Sequence, residues 1–381
     1  MRTAVIHDWL IAYGGAERTL ASILQCYPDA EVFALADFMP EADRGFLAGR
    51  CVHTSFIQRL PFARRHYRSY LPLMPLAIES FDLSGFDLVL SSSFCVAKGV
   101  LTGPDQTHVS YVHSPMRYAW DLQHEYLREA GLHRGLRGLL TRSMLQWLRG
   151  WDARSANGVD SFLANSDFVA RRIRKCYRRD AHVIYPPVDT EYFQPGSRRE
   201  QFYLTVSRLV PYKQVGLIVE AFRRMPDRQL VVIGDGPEFR RIHARVPDNV
   251  RMLGQQSAES TRDLLLRSRA FMVAAMEDFG IAPVEAQSCG TPVIAYGRGG
   301  ARETVLPGRT GVLFPEQTVD AIVAAVEEFE SRRADFDVAA IRANALRFNE
   351  ERFRQQLMEQ VEIATRGGDR ASVTRHLKLR A

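Results

Sequence analysis

The sequence has little lysine, no long apolar segment and no paired cysteine motif. Only residues 98, 175, 213 and 378 are lysines among 50 basic residues, a bias that genome base composition explains as readily as function. The longest apolar runs, such as residues 271–276, are far shorter than the ~20 residues that span a bilayer. Five cysteines without a Cys-x-x-Cys pair argue against a disulfide framework and a structural zinc, and favour a reducing compartment.

Length and composition are those of a soluble globular protein with more than one domain. At roughly 150 residues per domain, 381 residues predict two or three domains, and 46% hydrophobic with 25% charged residues excludes disorder. A net charge of +6 suggests an anionic partner, which is nucleic acid, a phospholipid surface or a phosphorylated substrate. The chain reaches His7 and Asp8 without a signal-peptide core, so we expect a cytoplasmic protein.

Strand-like and helix-like stretches alternate along the chain, which predicts an α/β protein with parallel sheets. The linker is expected at residues 186–196, where Pro186, Pro187 and Pro195 cluster. Helices are expected at about 16–25, 214–225 and 351–365, and from an N-cap at Ser166 to about 177. Predicted strands cover residues 3–7, 31–35, 86–91, 108–112, 160–164, 182–185, 202–207, 229–233, 250–253, 270–274, 292–295 and 311–314.

This rhythm predicts two Rossmann-like, doubly wound domains. The first spans residues 1–190 and the second 191–350, and residues 351–381 hold a further helix that ends in a frayed basic tail. Tandem domains of this kind bind ligands at the carboxyl ends of their strands and in the cleft that the domains face.

Two loops are candidates for phosphate binding. Gly14 and Gly15 follow the first strand, where their amides could approach a phosphate, although a tight turn that needs glycine for positive φ is the plainer interpretation. Arg208 and Lys213 lie on the loop after strand 202–207, where two cations could clamp a diphosphate; a solvated loop is the alternative. A complete Gly-x-Gly-x-x-Gly fingerprint is absent here and at 234–236, which weakens a dehydrogenase hypothesis.

The most specific pattern is Glu-Asp-Phe-Gly-Ile-Ala-Pro-Val-Glu at residues 277–285, directly after a buried strand. Amides of Phe279, Gly280 and Ile281 could bind phosphate or sugar oxygens at a helix start. The carboxylates of Glu277 and Glu285 could accept hydrogen bonds from vicinal hydroxyls. A bare pair of glutamates at this spacing is common, but its place between a strand and a glycine-led helix makes it specific.

By these motifs, the sequence resembles the retaining glycosyltransferases of the GT-B fold, in particular family 4. The resemblance implies that the helix in residues 351–381 crosses back to pack on the first domain. The resemblance covers nearly the whole chain, and the segment Tyr111–Tyr118 resembles bacterial mannosyltransferases of O-antigen and exopolysaccharide assembly. The matching motifs lie at residues 14–17, 207–213, 234–237, 277–285, 290–295, 299–303 and 311–314.

The resemblance implies a role for each candidate residue. Arg208 and Lys213 would bind the donor diphosphate, and Glu285 the ribose hydroxyls. Glu277 and the amides of residues 279–281 would hold the sugar, and Gly14 and Gly15 would contact the phosphates from the first domain. His113 would lie near the transferred sugar; without the resemblance, a core or capping histidine is the plainer interpretation. No metal or other cofactor is expected, because cations and amides can neutralise the leaving nucleoside diphosphate.

Arginine and aromatic residues in the first domain suggest contact with an anionic membrane that carries a lipid-linked acceptor. Residues 44–74 hold six arginines and no acidic residue, and residues 132–151 hold four arginines among leucines and tryptophans. An ordinary core helix with a solvated arginine face is an equally good interpretation. We therefore expect a cytoplasmic protein that attaches peripherally to the inner face of the cytoplasmic membrane.

The leading hypothesis is a retaining hexosyltransferase that moves mannose or a related 6-deoxyhexose from a GDP-sugar, favoured over a UDP-sugar, onto a lipid-linked or growing glycan of the bacterial surface. Other hypotheses remain open: a GT-B sugar-nucleotide epimerase, a sugar-nucleotide hydrolase, and a catalytically silent partner that binds nucleotide sugar or glycan. Nucleic-acid binding has no motif to support it.

Overall fold

The chain forms two compact units in the computed structural model, which describes residues 1–196 and 199–378 and side chains as far as residue 367. Unit 1 consists of Met1–Tyr185 together with the chain from Phe353 onward, and unit 2 is Pro186–Arg352. The boundaries expected from the sequence were 190/191 and 350/351. Each unit is an α/β layer structure, as the alternation of elements predicts.

A parallel sheet forms the centre of unit 1. Its strands are β1 (Thr3–His7), β2 (Glu31–Ala34), β3 (Val52–Thr54), β4 (Leu88–Ser93), β5 (Thr107–Val112), β6 (Ser161–Ala164) and β7 (His182–Val183). They are ordered β3-β2-β1-β4-β5-β6-β7, and every pair is parallel. The order changes direction between β1 and β4, which is a topological switch point where sheets of this class bind ligands.

Unit 2 has a second parallel sheet with the same winding. Its strands are β8 (Phe202–Val206), β9 (Gln229–Ile233), β10 (Val250–Gly254), β11 (Ala270–Val273), β12 (Val293–Tyr296) and β13 (Gly311–Phe314). The order β10-β9-β8-β11-β12-β13 places the switch point between β8 and β11. The predicted doubly wound topology is therefore present in both units.

Helices cover the faces of both sheets. Those of unit 1 are α1 (Gly15–Cys26), α2 (Ala63–His66), α3 (Met74–Glu79), α4 (Gln123–Glu129), α5 (Gly135–Ser155) and α6 (Asp167–Tyr177). Those of unit 2 are α7 (Val215–Arg223), α8 (Phe239–His243), α9 (Ala258–Arg267), α10 (Ile281–Ser288), α11 (Ala301–Thr304), α12 (Val319–Ser331) and α13 (Val338–Ala345). The predicted N-cap of α6 is confirmed, because the Ser166 hydroxyl accepts a hydrogen bond from the Val169 amide at 3.1 Å.

The last helix, α14 (Glu350–Lys378), is longer than the sequence predicts. The expected frayed tail after residue 365 is wrong for residues 366–378, and residues 379–381 lie outside the described residues. At the point where the tail was expected to start, Arg366 pairs with Glu362 one turn earlier, a contact that favours helix locally. One strand, β3, is not predicted, because its three residues form an edge with little apolar pattern.

Both faces of the unit 1 sheet are covered, so all five residues of β1 are buried. On one face, Phe353, Leu357 and Val361 of α14 join the core built around α1. Their spacing of four residues places them on one side of the helix. The Phe353 ring packs edge-on against Tyr111 with centroids 5.5 Å apart. The C-terminal helix thus completes a core of the first unit.

A charged pair lies in the interior of unit 1. The Lys98 ammonium is 2.8 Å from the Asp152 carboxylate, and both side chains are almost fully buried. Lys98 also donates to the Asp152 carbonyl at 2.7 Å and to the Ser155 hydroxyl at 2.8 Å. Trp120 and Tyr177 donate to the second carboxylate oxygen at 2.7 and 3.0 Å. Such a pair is tolerated in a core because most of its hydrogen-bonding capacity is satisfied.

Candidate active site

The loop with the two predicted diphosphate ligands follows β8 at the switch point of unit 2. Arg208 is exposed, and Lys213 is half-buried at the end of a single 3₁₀ turn, Pro211–Lys213. The loop packs against the turn that contains Gly234. A Cβ at Gly234, whose φ is +133°, would be 1.9 Å from the Ser207 carbonyl oxygen, so only glycine fits there.

Lys213 and Glu277 form an ion pair through Nζ and Oε1. Their side chains are 18% and 16% exposed, so the pair is shielded from most of the solvent yet open at one side. Glu277 follows β11, and its carbonyl accepts a hydrogen bond from the Gly300 amide at 2.8 Å. The structure therefore brings together two residues that the sequence places 64 positions apart.

Helix α10 begins directly after this pair. Its N-cap, Gly280, has φ +88°, a left-handed conformation that favours glycine. The Phe279 side chain is buried and packs edge-on against Phe348 with centroids 5.4 Å apart, so only the backbone of that residue is suited to a ligand. Glu285 lies in the second turn of α10 and is 7% exposed. Ile281 is the first residue of the helix.

In unit 1, Gly14 caps α1 and Gly15 starts it. The φ of Gly14 is −130°, so the expectation that this turn needs a positive φ is wrong. Space is tight instead, since a Cβ at Gly14 would meet a carboxylate oxygen of Glu17 at 3.2 Å. That oxygen accepts a hydrogen bond from the Gly14 amide at 3.0 Å, which fixes the path of the glycine loop.

His113 follows β5 and belongs to a hydrogen-bonded network with residues of β1 and β4. Its Nε2 is 2.9 Å from the Ser92 hydroxyl, which is 3.1 Å from Nδ1 of His7. Burial, with a smaller contribution from His7, lowers the pKa of His113 to about 3, so the imidazole is neutral at pH 7. Neither His7 nor Ser92 is among the site residues that the sequence predicts. Their positions at the end of strands that flank the switch point were the available signal.

Asp8 holds the segment after β4 in place beside this network. Its two carboxylate oxygens accept hydrogen bonds from four consecutive backbone amides, those of residues 94–97, at 2.6 to 2.9 Å. Four amide donors on one carboxylate form a rigid arrangement. The loop that follows Ser92 is thereby fixed to β1.

The candidate residues therefore fall into two groups, one in each unit. Unit 2 carries Arg208, Lys213, Glu277, Phe279, Gly280, Ile281 and Glu285 after β8 and β11. Unit 1 carries Gly14, Gly15 and His113 after β1 and β5. Among residues with described side chains, no cluster of three or more His, Cys, Asp or Glu could hold a metal ion.

Two family models match the chain, one over each of its two parts. Residues 13–192 match the family model "Glycosyltransferase Family 4", and residues 189–346 match "Glycosyl transferases group 1". The two matches together extend over most of the chain, which therefore belongs to the GT-B glycosyltransferases. Within that class, its N-terminal part is that of family 4.

Solved structures show the same fold over 95% of the chain. A lipopolysaccharide outer core galactosyltransferase, WaaB in its apo form, is 20% identical, with TM-score 0.65 and 99% of its own chain covered. HepE of Anabaena in complex with UDP-glucose is 18% identical, with TM-score 0.68 and 100% covered. Sucrose-phosphate synthase of Thermosynechococcus elongatus is 17% identical, with TM-score 0.72 and 98% covered. At these identities the likeness confirms the predicted GT-B fold.

Curated relatives match over a shorter length. A D-inositol 3-phosphate glycosyltransferase of Mycobacterium marinum is 29% identical over 197 residues, which is 44% of this chain and 42% of the relative. A protein of the same name from Mycobacterium tuberculosis (strain F11) is 31% identical over 183 residues, 41% of this chain and 38% of the relative. The chain spans less than half the length of these relatives.

The arginine-rich segments of unit 1 contain side chains with structural contacts as well as exposed side chains. Arg44 pairs with Asp37 at 2.7 Å, Arg50 donates to the Leu47 carbonyl at 2.9 Å, and Tyr67 is buried. In contrast, Arg59, Arg64, Arg65 and Arg68 are exposed, and so are Phe56, Phe62, Leu73 and Leu76. Where the structure is described, no helix is both long and apolar enough to span a bilayer.

Helix α5 is likewise only partly a core helix. Leu145 and Leu148 are buried, whereas Leu136, Leu139, Leu140 and Trp147 are 52–72% exposed. The exposed four recur at helical spacing and form one stripe. Helix α5 therefore has one face in the core and one exposed apolar stripe, and contact of that stripe with a membrane stays a prediction.

Proposed function

We propose that the protein is a retaining glycosyltransferase that transfers a hexose from a nucleotide sugar, with GDP-mannose or a related GDP-6-deoxyhexose as donor. The observation that carries the proposal is the Lys213–Glu277 pair at the start of glycine-led α10. It combines a cation for a diphosphate with a carboxylate for sugar hydroxyls, beside the backbone amides of a helix start. The resemblance of the Tyr111–Tyr118 segment supports mannose and a GDP donor.

Each group then has a chemical task. Arg208 and Lys213 neutralise the diphosphate, Glu285 accepts from the ribose hydroxyls, and Glu277 with the amides of residues 279–281 orients the sugar. Gly14, Gly15 and His113 contact the donor from unit 1. The bond from the anomeric carbon to the phosphate oxygen breaks while the bond to the acceptor oxygen forms on the same face. The acceptor proton passes to the departing phosphate oxygen, so the configuration is retained.

Neutralisation by protein groups makes a divalent cation unnecessary in this proposal. Lys213 is already held by Glu277, so a diphosphate that binds beside it finds an ammonium with a fixed position. A preorganised cation stabilises developing negative charge without reorganisation in the transition state. Transfer should accordingly continue in excess EDTA.

A lipid-linked or growing glycan of the bacterial surface is the proposed acceptor, reached from the inner face of the cytoplasmic membrane. The exposed arginines of residues 59–68 and the apolar stripe of α5 support this part of the proposal. Arginine heads favour anionic headgroups, and exposed leucine and tryptophan side chains favour the acyl boundary.

The deciding experiment measures release of nucleoside diphosphate from GDP-, UDP- and dTDP-sugars in EDTA, with lipid-linked and oligosaccharide acceptors. Turnover with a GDP-hexose and an α-configured product from an α-configured donor is the expected result. Turnover with a UDP-sugar alone would replace the donor assignment but keep the activity. Tight nucleotide-sugar binding without turnover for any donor would overturn the activity itself.

A further inference from the structure

Four polar side chains of unit 1 form a continuous line from the glycine loop to His113. Glu17 Oε2 accepts from the Gly14 amide at 3.0 Å, and its Oε1 is 3.5 Å from Nε2 of His7. His7 Nδ1 is 3.1 Å from the Ser92 hydroxyl, which is 2.9 Å from Nε2 of His113. The His7 side chain is fully buried and Glu17 is 11% exposed, so solvent has little access to the contact between these two residues.

The chemistry of the line sets the position of each proton. A carboxylate only accepts, so Glu17 requires a proton on Nε2 of His7. In the form of His7 that carries this single proton, Nδ1 is an acceptor, and the Ser92 hydroxyl donates to it. Because the Ser92 hydroxyl proton is donated to His7, the Ser92 oxygen can only accept from His113. The proton of His113 must therefore be on Nε2.

His113 has its second nitrogen available for a ligand. Among the residues that the structure describes, no protein group hydrogen-bonds Nδ1 of His113, and the side chain is only partly buried. The ring is held edge-on by Tyr111 and Phe94, with centroids 5.2 and 6.0 Å away. A neutral imidazole with its proton on Nε2 presents a lone pair on Nδ1.

We propose that Glu17, His7 and Ser92 are positioning residues that hold the proton of His113 on Nε2, so that Nδ1 accepts a hydrogen bond from a hydroxyl of the transferred sugar. The sugar contact rests on the proposed function, whereas the position of the proton does not. Glu17 thereby acts on two parts of the site. Its carboxylate holds the glycine loop through the Gly14 amide, and through His7 and Ser92 it determines that Nε2 of His113 is the donor and Nδ1 the acceptor.

Glu17→Gln is the most informative substitution. The variant keeps the size of the side chain but has a single oxygen, which the Gly14 amide retains, so the new amide group faces His7 and donates to Nε2. The proton of His7 then moves to Nδ1 and is donated to Ser92. The Ser92 hydroxyl turns to donate to Nε2 of His113, whose own proton is left on Nδ1.

The test is NMR of protein labelled with ¹⁵N in histidine, without any donor, at pH 7.5. In the wild-type protein, the ring nitrogens of His113, assigned with His113→Asn, should report a protonated Nε2 and an unprotonated Nδ1. In Glu17→Gln, the proton of His113 should instead be found on Nδ1. In Ser92→Ala, the His113 signals should no longer report a proton fixed on Nε2. A His113 protonated on Nδ1 in the wild type, or unchanged in Glu17→Gln, would overturn the proposal.

A second serine–histidine pair one residue along provides a matched control. Ser91 on the same strand is 2.9 Å from Nε2 of His108 and has no part in the line. Ser91→Ala should change the His108 signals and leave those of His113 untouched. A change at His113 in this variant would mean that it reports packing of the strand, which contradicts a specific relay.

Kinetics separate the relay from the proposed function. For a transferring enzyme, Glu17→Gln should lower kcat/KM roughly tenfold, the size of one hydrogen bond, with unchanged affinity for the free nucleoside diphosphate. Ser91→Ala should transfer at the wild-type rate. Equal losses in both variants would count against the relay. If no donor is turned over, the proposed function fails while the NMR result still decides where the proton lies.

Discussion

Lys213 and Glu277 contact each other in unit 2, although the sequence assigns them to different parts of one ligand. The pair is partly exposed on one side, and each member would be left without its charged neighbour if the other were removed. A substitution at either position therefore alters the charge balance of the site as well as a direct contact.

Lys213→Ala should weaken binding of the nucleotide sugar and of the free nucleoside diphosphate alike. Loss of a charge-assisted hydrogen bond costs about 1.5–3 kcal/mol, which corresponds to roughly a 10- to 100-fold higher Kd measured by calorimetry. Arg223→Ala, which removes an exposed pair with Glu220 in the same unit, is the control and should leave both Kd values unchanged. Equal Kd values for wild type and Lys213→Ala would contradict the diphosphate role.

Glu277→Ala should abolish transfer while the protein stays folded. The carboxylate is partly exposed after β11, so its loss removes sugar contacts without opening the core. Product formation and circular dichroism together measure the two effects, and affinity for the free nucleoside diphosphate should change less than in Lys213→Ala. Undiminished transfer would refute the assigned role.

Lys98→Met should lower the free energy of unfolding by about 3–5 kcal/mol, measured by urea titration, because it leaves the buried Asp152 carboxylate unpaired. The double variant Lys98→Met with Asp152→Asn should lose less unfolding free energy than the sum of the losses in the two single variants. Arg174→Met, from an exposed pair with Asp180, should change stability by less than about 1 kcal/mol. Similar losses for Lys98→Met and Arg174→Met would mean that burial does not strengthen the pair.

His108 should make the protein less stable in acid. Burial lowers the pKa of His108 to about 4, although its contact with the Gly158 carbonyl opposes the shift. Between its ordinary value of 6.5 and about 4, the unfolded chain binds a proton that the folded chain does not, so stability falls as pH falls. Near pH 5, the slope of the unfolding free energy against pH should be smaller in His108→Gln than in the wild type, by up to about 1.4 kcal/mol per pH unit. The two curves should run parallel above pH 7.5, and parallel curves near pH 5 would exclude the effect.

Membrane attachment should depend on exposed arginines of unit 1. Replacing Arg64 and Arg65 with serine removes about 1 kcal/mol of attraction per residue, or roughly 30-fold in binding to anionic liposomes at low salt. Co-sedimentation measures the change. Arg171→Ser with Lys175→Ser on α6 is the charge-matched control, because both side chains are exposed outside the arginine-aromatic segments. An equal loss in the control would indicate only a general effect of net charge.

The sequence predicts the fold further than it predicts the network around His113. Strand patterns and the Ser166 cap are local signals, since the residues that form them are neighbours in the chain. The same holds for the residue motifs of the two switch points. In the line from Glu17 to His113, the hydrogen-bonded neighbours His7 and Ser92 are 85 positions apart, and only the pairing of β1, β4 and β5 brings the line together. Edge strand β3 lacks an apolar pattern for a related reason, because solvent reaches its side chains.

Unit 2 is inserted within the chain of unit 1, and this imposes an order on synthesis. Phe353, Leu357 and Val361 complete a core of unit 1, yet they emerge from the ribosome only after every residue of unit 2. Unit 2 is contiguous and can fold as soon as it emerges, whereas the first-made sheet must wait with part of one apolar face uncovered. A chain that stops short of residue 353 should therefore aggregate through the domain that was made first.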